Sequence, residues 1–357
     1  MIAALATVAA LAVAAPPADA RGNGDPVRDL GDRQLAGQRI VTGFTGESPP
    51  ASLVQMIREG RLAGVVLFAQ NFDSEGEARD LINRLRDIRR PRGLRQPLLI
   101  AVDQEGGLVK RLPGPPTMSA EEMGAAGGET AARQGHKTGR YLRALGFNLD
   151  FAPVLDLAIP GGNIEDTDRS FSRSPSEVGK IAPRFANALS RQGVAATAKH
   201  FPGFGRAREN TDDVAQTIGA GRKTLRKEDE RPFRAFSRES GEVVMLANAV
   251  YPALDRGRPA GLSRAIASHE LRRVAGFDGV SITDSLNAAA IAAIGSPEKV
   301  ADMAANAGTD LLLYGSLASA ERVSESLARG LRSGDLKRKR FLTSVERVLR
   351  LRDSLRG

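Results

Sequence analysis

The chain has 357 residues, a length that suits either two average domains or one α/β barrel with insertions. Its 41% hydrophobic and 26% charged residues exclude wholesale disorder, and the lack of cysteine excludes disulfides, thiolate metal sites and a cysteine nucleophile. The formal charge of +9 comes from Lys and Arg spread along the chain with only 4% aromatic residues, which argues against nucleic acid as a partner. It suits a solvated basic surface or electrostatic association with an anionic cell envelope.

The first element along the chain is an apolar segment. Residues 1–20 are Ala-rich, too short to span a bilayer stably, and end in an Ala-x-Ala cleavage pattern. We interpret them as a signal peptide, cleaved or kept as an anchor, and expect a secreted or envelope-associated protein. The polar, Gly-rich residues 21–34 predict a linker, and residues 35–357 are expected to form one folded domain.

Short apolar runs then alternate with amphipathic helical stretches. Eight runs predict strands, at 39–44, 64–68, 98–102, 148–154, 195–201, 243–247, 279–283 and 310–314. Helices are predicted at 74–89, 129–145, 176–192, 264–274, 297–307 and 317–332, and a very basic helix at 337–356 is expected to pack across the barrel's outside. This α/β pattern predicts a single-domain (β/α)8 TIM-type barrel, with a doubly wound open sheet as the alternative.

Polar residues follow five of the predicted strands. They are Asp103, Asp156, the pair Lys199 and His200, Asn248, and Asp284. Any one of them could be a helix cap, but the carboxyl ends of barrel strands form the active-site face. Their convergence predicts a site there.

Three of these positions have a chemistry that suits a sugar. Asp103 precedes Glu105 and two glycines, so its carboxylate can accept paired hydroxyls while the backbone approaches a ligand closely. Lys199 and His200 can fix hydroxyls or a carbonyl oxygen, and Lys199 could alternatively form a Schiff base. Asp284, if ionised at the barrel mouth, could attack an anomeric carbon, although a helix-capping role stays open.

Five motifs in order resemble family 3 glycoside hydrolases, and within them the single-domain bacterial β-N-acetylglucosaminidases, or β-hexosaminidases. The motifs are DQEGG at 103–107 followed by Val109 and Arg111, NLDFAPVLDL at 148–157, DRSF at 168–171, KHFPGFG at 199–205 and GFDGVSITDSL at 276–286. The resemblance implies that Asp284 is the nucleophile of a retaining mechanism. It further implies that the sugar is bound by Asp103, Arg169, Lys199 and His200, with Arg111 nearby, and that no metal or organic cofactor takes part.

One departure from the family pattern concerns the acid/base. These enzymes usually read HFPGHG and then Asp-Ser-His, but here Phe204 replaces the second histidine of HFPGHG, and Asn210-Thr211-Asp212 stands at the later positions. We expect Asp212 or Asp213, on a flexible loop at 206–213, to supply the acid, with Glu209 a weaker candidate of the same type.

The sequence therefore predicts an exported, monomeric retaining glycosidase acting on a carbohydrate. The expected reaction removes a terminal β-linked sugar. Among such sugars we expect N-acetylglucosamine, released from peptidoglycan fragments. The alternatives are a catalytically silent glycan-binding barrel and a Lys199 Schiff-base lyase.

Overall fold

The computed structural model describes residue 27, residues 29–239 and residues 241–356. Within them eight parallel strands form one sheet, in which each strand pairs with the next along the chain and the last pairs with the first. The strands are β1 (Ile40–Thr42), β2 (Gly64–Val66), β3 (Leu99–Val102), β4 (Leu149–Asp150), β5 (Ala195–Phe201), β6 (Val243–Leu246), β7 (Val280–Thr283) and β8 (Leu312–Tyr314). A bridge between Ile282 and Leu311 joins β7 to the start of β8. The predicted (β/α)8 barrel is confirmed, and the open sheet is wrong.

Helices surround the strands. They are Asp32–Gly37, Ala51–Arg58, Glu75–Arg86, Ala120–Ala126, Gly128–Leu145, Asn163–Asp166, Pro175–Ser190, Arg222–Thr224, Arg231–Glu239, Ala289–Ala292, Pro297–Ala307, Leu317–Ser333 and Arg338–Ser354, with π-helices at Leu225–Asp229 and Ala265–Val274 and 3₁₀ turns at Ala69–Asn71 and Ala260–Leu262. All six amphipathic helices predicted between strands are present, with ends shifted by a few residues at most.

The observed β4 is shorter than the predicted strand at 148–154. Its regular pairing covers only Leu149–Asp150, and beyond it Val154 makes a single bridge to Lys199. Pro153 lies between these points and has no N–H to donate to a ladder. The apolar run therefore continues into the barrel wall without continuing the strand.

Side chains fill the barrel lumen. One buried cluster includes a side chain from each of five strands of the wall: Val41, Leu99, Ala195, Val243 and Ile282. A second, larger cluster lies between the strands and the surrounding helices. Because the lumen is packed, a ligand can enter only at its ends, and the loops at the carboxyl ends of the strands form the usual site.

The terminal helix, Arg338–Ser354, closes the opposite end of the lumen. Its Val348 and Leu351 belong to the lumen cluster, and Arg352 donates to the backbone carbonyls of Gln96 and Pro97, just before β3. The expectation that this helix packs across the barrel's outside is wrong. Its apolar stripe covers the open amino-terminal end of the barrel. There it buries more apolar surface than it would by packing across the outside.

The amino-terminal predictions are only partly within the described residues. The interpreted signal peptide, 1–20, lies outside them, and the predicted linker, 21–34, extends too far because a helix begins at Asp32. No helix in the described ranges has the length and apolar character needed to cross a bilayer.

Candidate active site

A cavity of about 240 Å³ opens at the carboxyl ends of the strands. It brings together seven of the eight predicted site residues: Asp103, Arg111, Arg169, Lys199, His200, Asp212 and Asp284. Asp213 and Glu209 are exposed and do not line it. The volume is somewhat below the roughly 300–1,000 Å³ typical of ligand clefts, which suits a small ligand such as one sugar ring.

An ion-pair network forms one wall of the cavity. Lys199 Nζ lies 2.9 Å from Asp103 Oδ1 and 2.6 Å from Glu105 Oε1. Arg169 binds both Glu105 oxygens through Nε and Nη2, each at 2.8 Å. Arg111 is more loosely placed, with Nη2 at 3.9 Å from Asp103 Oδ2. The network fixes hydrogen-bonding groups in position before any ligand arrives.

The charges of neighbouring side chains outweigh burial in deciding which groups of this network are protonated. Burial alone would raise the pKa of Glu105, but the charges of Arg169 and Lys199 lower it to about 2. Burial would likewise lower the pKa of Lys199, yet Asp103 and Glu105 outweigh it and raise that pKa. At neutral pH the wall therefore holds ionised carboxylates against protonated cations.

Glu105 was not predicted as a site residue. Its side chain is only 4% exposed, and it joins Lys199 to Arg169. The available signal was the second charge of the DQEGG motif on the barrel rim, which a helix cap at Asp103 does not explain.

His200 is oriented by Asp156, which the sequence placed on the site face without assigning it a role. Its Nδ1 lies 2.7 Å from Oδ2 of Asp156, a fully buried carboxylate. Asp156 also accepts from the backbone N–H groups of His200 and Phe204. With Nδ1 occupied, Nε2 is the ring nitrogen left for a ligand in the cavity.

Asp284 follows β7 directly and is half-buried at the cavity. Its backbone N–H donates to the Leu246 carbonyl at 3.0 Å, which ties it to β6. The N–H of Ser285 donates to Oδ1 at 2.7 Å. One carboxylate oxygen is thereby held, and the carboxyl group lines the cavity.

The loop at 206–213 is attached to the segment that follows Asp284. The N–H groups of Ala289 and Ala290 donate to the carbonyls of Asp212 and Thr211 at 3.1 and 3.2 Å. Asn210 Oδ1 accepts from the Asp212 N–H at 3.0 Å, forming an Asx turn. These bonds hold the Asp212 backbone beside the Asp284 segment.

Asp212 lines the cavity although, like Asp213, it is an exposed residue. Desolvation of its carboxyl group, and then the negative charge of Asp284, raise the pKa of Asp212. A carboxyl group that keeps its proton more readily, beside one that lines the same cavity, is the arrangement expected of an acid and a nucleophile.

Phe204, which the resemblance places at the position of a family histidine, lies beside His200. Its ring meets the His200 ring edge-on, with centroids 5.6 Å apart. Phe204 thus places an apolar ring against His200, and the residue also lines the cavity. In the described parts of the chain, no group of His, Asp or Glu side chains is arranged to hold a metal ion.

Comparisons with known proteins agree with this geometry. The family described as "Glycosyl hydrolase family 3 N terminal domain" matches residues 33–351. An uncharacterized secreted glycosyl hydrolase of Arthroderma benhamiae is 35% identical over 329 residues, covering 90% of this chain and 93% of the fungal protein. A beta-hexosaminidase of Neisseria meningitidis serogroup C is 35% identical over 270 residues, or 72% of this chain and 73% of that enzyme.

Solved structures show the same likeness. A family 3 β-N-acetylglucosaminidase from a Paenibacillus species matches with a TM-score of 0.86 and 32% identity over 91% of this chain. This chain spans only 63% of that enzyme. A β-N-acetylhexosaminidase from Beutenbergia cavernae matches with a TM-score of 0.83 and 29% identity, over 91% of this chain and 99% of its own length.

Proposed function

Because the chain belongs to glycosyl hydrolase family 3, we propose that it is an exported retaining glycosidase. It removes a terminal β-linked N-acetylglucosamine, with peptidoglycan fragments as substrates. The observation that carries the proposal is the cavity in which Asp284, Asp212 and the Lys199 ion-pair network meet. The names of the relatives support the sugar, and the secreted fungal relative supports export.

The reaction uses the two carboxyl groups in sequence. Asp284 attacks the anomeric carbon while protonated Asp212 gives its proton to the departing glycosidic oxygen, so the bond to the leaving group breaks as a glycosyl ester forms. Ionised Asp212 then takes a proton from water, whose oxygen attacks the same carbon and releases Asp284. The sugar leaves with its β configuration retained.

Asp212 is preferred over Asp213 as the acid. It lines the cavity, its carbonyl is bound beside the Asp284 segment, and its pKa is raised. Asp213 is exposed outside the cavity. A general acid must reach the proton's destination before its pKa matters.

The Schiff-base alternative does not fit Lys199. A Schiff-base lysine attacks as a neutral amine, for which its pKa is usually lowered. Two carboxylates instead raise the pKa of Lys199 and keep it protonated. Its ammonium group suits sugar hydroxyls.

A mechanism-based label tests the proposal. The full chain is incubated with a 5-fluoro-N-acetylglucosaminyl fluoride, digested, and analysed by mass spectrometry. We expect the label on Asp284 in wild type and in Asp278→Asn, a control on the same segment at the far end of β7, and none in Asp284→Asn. Glycan binding by calorimetry without any label would support the silent barrel instead, and borohydride trapping at Lys199 would support the lyase.

A further inference from the structure

Two exposed large hydrophobic side chains in the described part of the chain are close in sequence to residues that line the cavity. Among the residues described, Leu108 is 73% exposed and Val214 is 38% exposed, and no other large hydrophobic residue is classed as exposed. Leu108 immediately precedes Val109, which lines the cavity, and Val214 lies two residues after Asp212. Exposed apolar side chains that gather beside a cleft mark a contact surface.

Leu108 is presented by a rigid support. It stands at the turn of a small antiparallel hairpin, Gln104–Gly106 with Val109–Lys110. Gly106 packs so tightly that an added Cβ would lie 2.2 Å from the carbonyl oxygen of Met118. Its φ of 96° also suits glycine alone. The exposure of Leu108 is therefore set by packed backbone.

The base of the hairpin is fixed as well. The Gln104 amide donates to the carbonyls of Leu112 and Pro115, both at 3.0 Å. Its Oε1 accepts from the N–H groups of Arg111 and Leu112, each at 3.1 Å. These bonds join the hairpin to the segment that carries Arg111.

Val214 is held by the turn that contains Asp212. Its N–H donates to the Asn210 carbonyl at 3.1 Å, within the turn that presents Asp212. Phe68, which follows β2, is half-buried and lines the cavity, as does half-buried Val109. Apolar side chains thus border the opening beside both the Asp103 segment and the acid loop.

We propose that Phe68, Leu108, Val109 and Val214 form a subsite for an apolar aglycone, an alkyl or aryl group attached to the sugar. The inference rests on the proposed function and adds alkyl and aryl glycosides to its substrates, beside the peptidoglycan fragments. If the anomeric carbon lies between Asp284 and Asp212, the leaving group points past the acid loop toward the mouth. There it meets apolar side chains that gain by being covered.

Alkyl glycosides test this directly, because methyl and octyl β-N-acetylglucosaminides have alcohol leaving groups of nearly equal acidity. We expect wild type to show a higher kcat/KM for the octyl glycoside. Leu108→Ser and Val214→Ser should each lower the octyl-to-methyl ratio about fivefold, the change expected from losing roughly 40 Å² of covered apolar surface. The methyl glycoside should be hydrolysed equally by all.

Ile88→Ser is the matched control, since Ile88 is a partly exposed apolar residue between Glu75–Arg86 and β3, at the far end of the barrel. Its ratio should equal that of wild type. Calorimetric Kd values for the uncleavable octyl and methyl thioglycosides separate the two proposals, because they need no turnover. An octyl-to-methyl ratio near one for wild type, both in binding and in kcat/KM, would overturn the subsite. An octyl-to-methyl ratio that neither Leu108→Ser nor Val214→Ser changes would overturn it as well. Tighter octyl binding without hydrolysis of either glycoside would keep the subsite and reject the proposed hydrolysis.

Discussion

Glu105 shows how one buried residue can organise a binding wall without touching the reacting bond. It neutralises Lys199 and Arg169 together, and neither cation has another buried carboxylate as close. Removing one partner of a buried ion pair leaves the others uncompensated, at a cost of about 3–5 kcal/mol. Both the stability of the protein and the positions of Lys199 and Arg169 should depend on this carboxylate.

Glu105→Gln is the corresponding test. The amide keeps the shape but not the charge, so we expect the free energy of unfolding at pH 7 to fall by roughly 3 kcal/mol. Because the folded pKa of Glu105 is about 2, below its ordinary 4.5, its contribution is present above pH 4.5 and is lost as the pH falls toward 2. Urea titrations of wild type and variant at pH 7 and pH 3 should show the difference shrinking at the lower pH. An equal difference at both would contradict the ionic explanation.

Asp212 and Asp213 form a natural pair of test and control. Asp212→Asn should lower kcat/KM by about 10²- to 10⁴-fold for glycosides with poor leaving groups and far less for activated aryl glycosides. Asp213→Asn should change neither substrate by more than a small factor, because its side chain lies outside the cavity. Steady-state kinetics with both substrate classes decide between them, and the reverse pattern would transfer the acid role to Asp213.

At the scale of elements, the loop at 206–213, which carries the proposed acid Asp212, is held at its start by the ion pairs of Arg206. Arg206 Nε lies 2.9 Å from Asp229 Oδ1, and its Nη2 lies 2.6 Å from Glu228 Oε2. Together with the bonds from Ala289 and Ala290, this pair holds both ends of the loop. The sequence predicted a flexible loop at 206–213, whereas the structure has this loop attached at both ends.

Arg206→Ala should free the first end of that loop. A misplaced acid costs about 10- to 100-fold in rate, so we expect kcat/KM for poor leaving groups to fall in that range. Labelling of Asp284 by the fluoro sugar should persist, since that reagent needs no acid. Arg256→Ala, at an exposed arginine on another loop, serves as the control. Equal kinetics in the two variants would show that the ion pair does not position the loop.

Glu230, which directly follows the π-helix Leu225–Asp229, has a shifted pKa. Burial, and then the charge of Glu270, raise the pKa of Glu230 from 4.5 to about 7, although Arg234 opposes them. A raised folded pKa stabilises the protein below pH 4.5, and that contribution is lost as the pH rises through 7. Glu230→Gln should therefore flatten the fall in unfolding free energy between pH 5 and pH 8 by up to about 3 kcal/mol, measured by urea titration. A fall of unchanged size in the variant would assign it to other groups, such as Asp229.

Most elements of the barrel could be predicted because each is marked locally. Strands β1 to β8 are short apolar runs between amphipathic helices, and their carboxyl ends place Asp103, Lys199, His200 and Asp284 on one face without further information. The hairpin around Leu108 was missed since it has two or three residues a side and no apolar alternation. The roles of Glu105 and Asp156 were missed because they depend on which side chains arrive from distant strands.

For the whole molecule, the two ends of the barrel have different tasks. The carboxyl end holds the cavity, and the terminal helix covers the amino end with Val348 and Leu351 in the lumen cluster. The sequence could not predict this placement because the helix's apolar stripe fits any apolar surface. Only the assembled barrel offers an open lumen.

Truncation after residue 336 tests the role of this helix. Removing it exposes lumen side chains and leaves the carbonyls of Gln96 and Pro97 without their buried donor, Arg352. We expect loss of the cooperative thermal transition by circular dichroism and a tendency to aggregate. Leu342→Ser, at a partly exposed position of the same helix, should lower Tm by only a few degrees. A truncated chain that melts like wild type would mean that the helix is dispensable.

The position of the terminal helix also decides how the protein can be handled. Its last turn, near Ser354, lies at the end of the lumen away from Asp284. A bead, a sensor surface or a fluorescent carrier joined after residue 356 would therefore lie at the amino-terminal end of the barrel, opposite the cavity. The cavity mouth would face solution, and an immobilised sample would meet its glycosides from the open side.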